Sequence, residues 1–163
     1  MKERFNRFLS IVFTTADDRM SDLFFHTARV KAINMLRLQT MERLLIIEVG
    51  TGLDIPLLPP GLWVTGIDSS PQKLQRARGR TSGHYVTLER MDPQSLIYGD
   101  SSFNAVILYL ALDNESDCVK AFQEAWRVVC PGGRLVILGC FMKDRGWLSH
   151  ICRWFRGIAT ISH

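Results

Sequence analysis

At 163 residues, 47% hydrophobic and 22% charged, the chain has the size and composition of one soluble globular domain, able to bury roughly 70% of its unfolded surface. A formal net charge of +4 is a weak argument for nucleic acid, and four cysteines (Cys118, Cys130, Cys140, Cys152) without a C-x-x-C pair argue against a zinc or redox centre. No apolar run approaches the roughly 20 residues of a membrane-crossing helix, and no signal peptide, repeat or low-complexity stretch is evident, so a cytoplasmic protein with reduced cysteines and no metal is expected.

In chain order, residues 1–40 read as N-terminal helices. Phe5, Phe8, Leu9, Val12 and Phe13 recur at helical spacing over 2–13, either as a lid on the domain or as a helix lying on a membrane surface. A second helix is expected from about Ser21, a candidate N-cap, to Leu38, with Leu23, Phe24, Thr27, Val30, Ile33 and Met35 as its apolar face. The first strand is expected at 44–49, where Leu44-Leu45-Ile46-Ile47 is apolar without alternation, as in a parallel sheet covered on both faces.

Residues 44–140 read as the core. Pro59 and Pro60 limit any helix after the first strand to a short one. The second strand is 63–68, followed by a serine cap at Ser69-Ser70 and Pro71 in the first helical turn. That helix turns Leu74 and Ala77 inward, and its Lys73, Arg76, Arg78 and Arg80 read as a solvated face rather than a nucleic-acid site. Strand three is 84–90, strand four Phe103 to Leu110, and a helix over 117–129 buries Val119, Phe122, Trp126 and Val129. Pro131-Gly132-Gly133 ends that helix, and strand five runs from Arg134 to Gly139. Residues 143–163 form an amphipathic C-terminal segment. Its Trp147, Leu148, Ile151, Trp154 and Phe155 make one stripe, packed on the sheet or anchored at a membrane interface, with His150 as surface or filler.

Strands alternating with helices imply a doubly wound, mostly parallel α/β sheet of five strands with helices on both faces. Right-handed crossovers put the strands' C-terminal ends on one edge. There Glu48, Asp68, Asp92 and Tyr109 would converge beside the turn Gly50-Thr51-Gly52. Glycines there can take positive φ and admit a ligand close to the backbone. Asp68, sixteen residues past Gly52, is placed to accept hydrogen bonds from ribose hydroxyls. An acid at a strand end can equally cap the next helix.

With these residues in hand, the sequence resembles the class I S-adenosylmethionine-dependent methyltransferases. It is most similar to the group of ubiquinone/menaquinone C-methyltransferases and phosphatidylethanolamine N-methyltransferases. The match is carried in order by Glu48-Val49-Gly50-Thr51-Gly52-Leu53, Gly66-Ile67-Asp68-Ser69-Ser70-Pro71, Met91-Asp92, Asp100 to Val106, and Glu124 to Leu135, over about residues 20–142. The resemblance implies S-adenosyl-L-methionine as cofactor and a small-molecule or lipid-like acceptor. It places Gly50, Thr51 and Gly52 against the methionine and ribose parts and Glu48 behind the turn or near the amino group. Asp68 falls on the ribose, Ser69 near the adenine, Met91, Asp92 and Pro93 around the adenine, and Tyr109 facing the reacting methyl. His26, His84, Tyr109 and Asp113 are base candidates where the acceptor must lose a proton.

Two departures from the family pattern stand out. The glycine turn is two residues shorter than Glu-x-Gly-x-Gly-Thr-Gly-Leu: read without a gap, Asp54 replaces its third glycine, beside the cofactor's carboxylate and mildly repelling it, and read with a gap, Thr51-Gly52-Leu53 fits the motif's end and a glycine is lost from the middle. The antiparallel strand pair expected after strand five is not recognisable, which leaves that edge to the tail, a homodimer or a helper protein. Two other readings follow. One is a degenerate methyltransferase-like domain that binds a partner without turnover. The other is a nicotinamide-dependent dehydrogenase, disfavoured because position 55 is Ile where G-x-G-x-x-G needs glycine.

Overall fold

The computed structural model describes residues 18–110, 115–139 and 158–162. The stripes at 2–13 and 143–157, His150 and Asp113 lie outside the described residues. Helix α1 (Asp18–Leu36) leads into β1 (Arg43–Ile47), a single 3₁₀ turn (Ile55–Leu57), β2 (Trp63–Asp68), α2 (Pro71–Arg78) and β3 (Tyr85–Arg90). Then come β4 (Phe103–Leu110), α3 (Glu115–Val128), β5 (Val129–Gly139) and β6 (Ile158–Ser162). The sheet order is β3-β2-β1-β4-β5-β6, with β6 antiparallel to β5 and the other pairs parallel.

Leu44, Leu45, Ile46 and Ile47 are all fully buried, as an unbroken apolar run requires. Their side chains alternate between two cores. Leu44 and Ile46 join Ala32, Ile33 and Leu36 of α1 on one face. Leu45 and Ile47 join Ala121, Ala125 and Val128 of α3 on the other. The expected five parallel strands and two helical layers are therefore present.

The strand-five edge falls to the tail, one of the three occupants expected: β6 pairs along it from Leu138↔Ile158 to Arg134↔Ser162. Three expectations are corrected. Strand one ends at Ile47, because Glu48 turns to φ 59° and starts the loop one residue before the glycine. Pro131-Gly132-Gly133 does not separate helix from strand. β5 begins at Val129 opposite Phe103, bulges, and resumes at Arg134 opposite Ala105. Gly133 suits that bulge, since a Cβ there would come within 2.7 Å of the Cys130 carbonyl oxygen. The helix stripes are also rotated by about one position. α3 buries Cys118, Ala121, Ala125 and Val128, with Phe122 and Trp126 at the margin. α1 buries Arg29, Ala32, Ile33 and Leu36, while Ser21 lies inside the helix rather than capping it. Small residues let helix and sheet approach closely, and the large apolar ones then seal the rim.

Candidate active site

The edge at the C-terminal ends of β1, β2, β3 and β4 is assembled by register. Ile47 lies between Ile67 and Leu108, so Glu48, Asp68 and Tyr109 emerge side by side. Asp68 pairs with Arg90, which brings Met91 and Asp92 to the same edge, and the Met91 amide donates to the Asp68 carbonyl at 3.3 Å.

The turn is held by short backbone bonds. Val49 N donates to Ile67 O at 2.8 Å, Gly52 N to Val49 O at 3.0 Å and Ile55 N to Gly52 O at 3.2 Å. Gly50 (φ 60°) and Gly52 (φ 78°) take the left-handed conformation anticipated for them. Their surroundings differ. A Cβ on Gly50 would meet nothing closer than Glu48 O at 4.0 Å, so the backbone is open there to a ligand. A Cβ on Gly52 would meet Ala77 and Ile55 at 3.0–3.1 Å, so this glycine serves the packing of turn against α2. Arg80 donates to Thr51 O at 2.8 Å and ties the middle of the turn to the segment after α2.

Asp68 is completely buried. One carboxylate oxygen accepts from Gly50 N at 3.0 Å, the other from Ser70 N at 2.8 Å, and Lys73 Nζ stands 3.6 Å from the first. The side chain thus pins the turn to the start of α2, whose cap is the Ser70 hydroxyl accepting from Lys73 N. Each carboxylate oxygen has two lone pairs, so acceptor capacity remains beside these bonds. Ser69 is exposed, and its carbonyl accepts from Arg90 Nε at 3.2 Å. Asp92 is exposed, with Oδ1 taking Gln94 N at 2.9 Å and its carbonyl taking Ser95 N; Met91 and Pro93 are half-buried around it.

Glu48 is strongly perturbed by its neighbours at this edge. Burial first, then the neighbouring Asp68 and more weakly Asp92, push its carboxyl up to about 7, with Lys73 opposing. Three acids gathered around an open backbone make a place for a cationic group.

Tyr109, expected to face the reacting methyl, has its hydroxyl engaged inside the protein. Its hydroxyl donates to Asp54 Oδ1 at 2.5 Å rather than facing out over the turn. Arg29 Nε lies 3.7 Å from the same oxygen, and both charged partners are buried. Burial above all, and then Asp54, raise the Tyr109 phenol far above its ordinary value, while Arg29 opposes. Asp54 is therefore charge-balanced, and the repulsion anticipated from it is answered by Arg29. Sequence reasoning missed this arginine, since one arginine on a helix reads as solvent-facing. Of the other base candidates, His84 sits before β3 at the opposite edge of the sheet, and His26 is on the exposed side of α1. No helix of the described residues is long and apolar enough to cross a membrane.

Comparison with known proteins agrees with this geometry. Residues 47–137 match the family model described as methyltransferase domain. The chain is 33% identical over 113 residues to phosphatidylethanolamine N-methyltransferase of Cereibacter sphaeroides, covering 67% of this chain and 56% of that protein. It is 34% identical over 116 residues to demethylmenaquinone methyltransferase of Thermus thermophilus, covering 68% and 52%. The chain thus spans about half the length of the curated relatives it matches. Among solved structures it is similar to an S-adenosylmethionine-dependent methyltransferase of Mesorhizobium loti (TM-score 0.54, 25% identity, 67% of this chain and 52% of that one). It also shares the fold of a SAM-dependent methyltransferase of Methanosarcina mazei (TM-score 0.57, 23% identity, 75% and 61%). The family match, with the 25%-identical Mesorhizobium loti structure named for S-adenosylmethionine, implies S-adenosyl-L-methionine as the cofactor. With the strand order, the glycine turn and more than half of the chain inside the family model, this protein belongs to the methyltransferase-domain family.

Proposed function

We propose that this chain transfers a methyl group from S-adenosyl-L-methionine to a small-molecule or lipid-like acceptor. The observation that carries the reading is the convergence of an open backbone at Gly50 with Glu48, Asp68 and Asp92 on one strand edge. The cofactor is a cation with a sulfonium and an ammonium group, a ribose diol and an adenine amine. The residues present fit it: buried carboxylate charge faces positive charge, and acceptor oxygens face hydroxyl and amine donors.

Within this reading Gly50, Thr51 and Gly52 form the floor beneath the methionine and ribose. Asp68 accepts from the ribose hydroxyls while its bonds to Gly50 and Ser70 hold the floor in shape. Ser69, Met91, Asp92 and Pro93 surround the adenine, with Asp92 Oδ2 as the acceptor for its amine. Glu48 balances positive charge at the turn. When bound, the cofactor supplies an already activated methyl electrophile, so the protein contributes proximity, orientation and exclusion of water. Tyr109 keeps its proton on Asp54 and supplies no base. A neutral amine attacks through its free lone pair and then releases its proton to solvent, whereas an ammonium headgroup or a quinol ring carbon must also give up a proton, to solvent or to a base on the acceptor side.

The relatives are named for phosphatidylethanolamine and for demethylmenaquinone, which favours lipid and quinone acceptors. A domain that binds without turnover has no comparable support. The test is incubation of the purified chain with methyl-labelled cofactor and vesicles containing phosphatidylethanolamine or a demethylated quinone, followed by extraction. Label in the extracted acceptor is the expected result. Cofactor binding with no label in either acceptor would overturn the acceptor class.

A further inference from the structure

Read without a gap, Asp54 stands where the family pattern has its third glycine, and the structure ties this position down. Asp54 stands at the far end of the glycine turn and caps the 3₁₀ turn, with Leu57 N donating to its carbonyl at 2.8 Å. Its side chain is buried and reaches two other elements: Tyr109 at the end of β4 and Arg29 in the fourth turn of α1. Tyr109 follows Leu108, the partner of Ile47, so it stands beside the start of the turn while its hydroxyl grips the turn's end. Both partners meet at the same Asp54 oxygen, Oδ1, so the three side chains form one network centred on Asp54.

Three polar groups buried together carry a large desolvation cost. Apolar side chains could fill the same space against Ala32, Ile33 and Ile55. What the polar set adds is direction. Hydrogen bonds and an ion pair fix the relative position of helix, turn and strand more narrowly than apolar contact does.

We propose that Arg29, Asp54 and Tyr109 are positioning residues that latch α1 and β4 onto the glycine turn and hold it in its ligand-accepting shape. The latch makes α1 part of the cofactor site without touching the cofactor. In its link to cofactor binding, this inference rests on the methyltransferase reading above.

The test is Tyr109→Phe, which removes one oxygen and leaves the Arg29–Asp54 pair in place. Amide hydrogen exchange is followed at Gly52 and Ile55 in the turn and at Ile46 in the sheet, alongside calorimetric titration with S-adenosylhomocysteine. The expected result is about tenfold faster exchange at Gly52 and Ile55, unchanged exchange at Ile46, and about tenfold weaker binding. Asp54→Asn, which keeps an acceptor for Tyr109 but removes the charge facing Arg29, is expected also to speed exchange in α1 around Arg29. Unchanged exchange in the turn overturns the latch. If binding nevertheless weakens, Tyr109 touches the ligand instead. Faster turn exchange with unchanged affinity overturns the link to the cofactor site. If the wild-type protein binds no S-adenosylhomocysteine, the methyltransferase reading fails, and the exchange comparison still decides whether the turn is latched.

Discussion

Glu48 should make this protein lose stability on going from acid to neutral pH, and Glu48→Gln should remove that loss. The carboxyl sits at the end of β1 with Asp68 and Asp92 on the neighbouring strand ends and Lys73 as the opposing charge. Its folded value of about 7 lies above the ordinary glutamate value of 4.5. At about 1.4 kcal/mol for each unit, the difference is on the order of 3 kcal/mol. The sign follows from linkage. Below pH 4.5 the group is protonated in both the folded and unfolded chains and costs nothing. Between 4.5 and 7 the unfolded chain releases the proton first, and the folded state is progressively penalised. Above 7 the full penalty persists. The glutamine variant keeps the shape and never ionises. Urea unfolding of both proteins from pH 4.5 to 8 should therefore show the variant more stable by about 3 kcal/mol at pH 8 and equal near pH 4.5. Glu42 and Glu124, whose carboxyls arginines hold below the usual range, titrate equally in both proteins and cancel in the difference. A variant no more stable than wild type at pH 8 would refute the reasoning. A cationic ligand draws Glu48 toward its ionised form, so affinity for S-adenosylmethionine should rise between pH 6 and 8 in wild type and stay flat in the variant.

Three other perturbations probe the scaffold. Ile46→Ala should cost about 2–5 kcal/mol in urea unfolding, because Ile46 is fully buried between α1 and the sheet. Gly52→Ala forces a side chain into φ 78° and to 3.0 Å from Ala77, and should cost at least about 1–3 kcal/mol by thermal unfolding. Glu42→Gln breaks the paired bonds from Arg134 at 2.6–2.7 Å, on a residue that also donates to Leu36 O at 2.9 Å. Because both groups are partly exposed, the cost at pH 7 should be about 1 kcal/mol. It should vanish as pH falls through the lowered Glu42 value, since the contribution exists only while the carboxylate is ionised.

The sequence made the sheet legible because its signals are local. The apolar runs at 44–47 and 105–108 have no period and so must be covered on both sides, and Ser70-Pro71 marks the helix start with a cap and a proline in the first turn. The glycine conformations were legible for the same reason. What stayed hidden depends on contacts distant in sequence. The partner of Asp54 is an arginine 25 positions upstream on another element, and nothing local distinguishes Arg29 from a solvated side chain. Likewise β6 is a short strand whose place is fixed by pairing with β5 rather than by its own pattern. The helix stripes were misread by one position because large apolar residues such as Phe122 and Trp126 dominate a hydropathy pattern. Close packing instead selects the small ones, Ala121 and Ala125.

The central claim is that this edge holds S-adenosyl-L-methionine through Asp68. Calorimetric titration with S-adenosylhomocysteine, on wild type and on Asp68→Asn checked for folding by its melting curve, tests it most directly. Micromolar binding by wild type that the folded variant loses is the expected result. No binding by wild type at millimolar ligand, or equal binding by the variant, would contradict the claim.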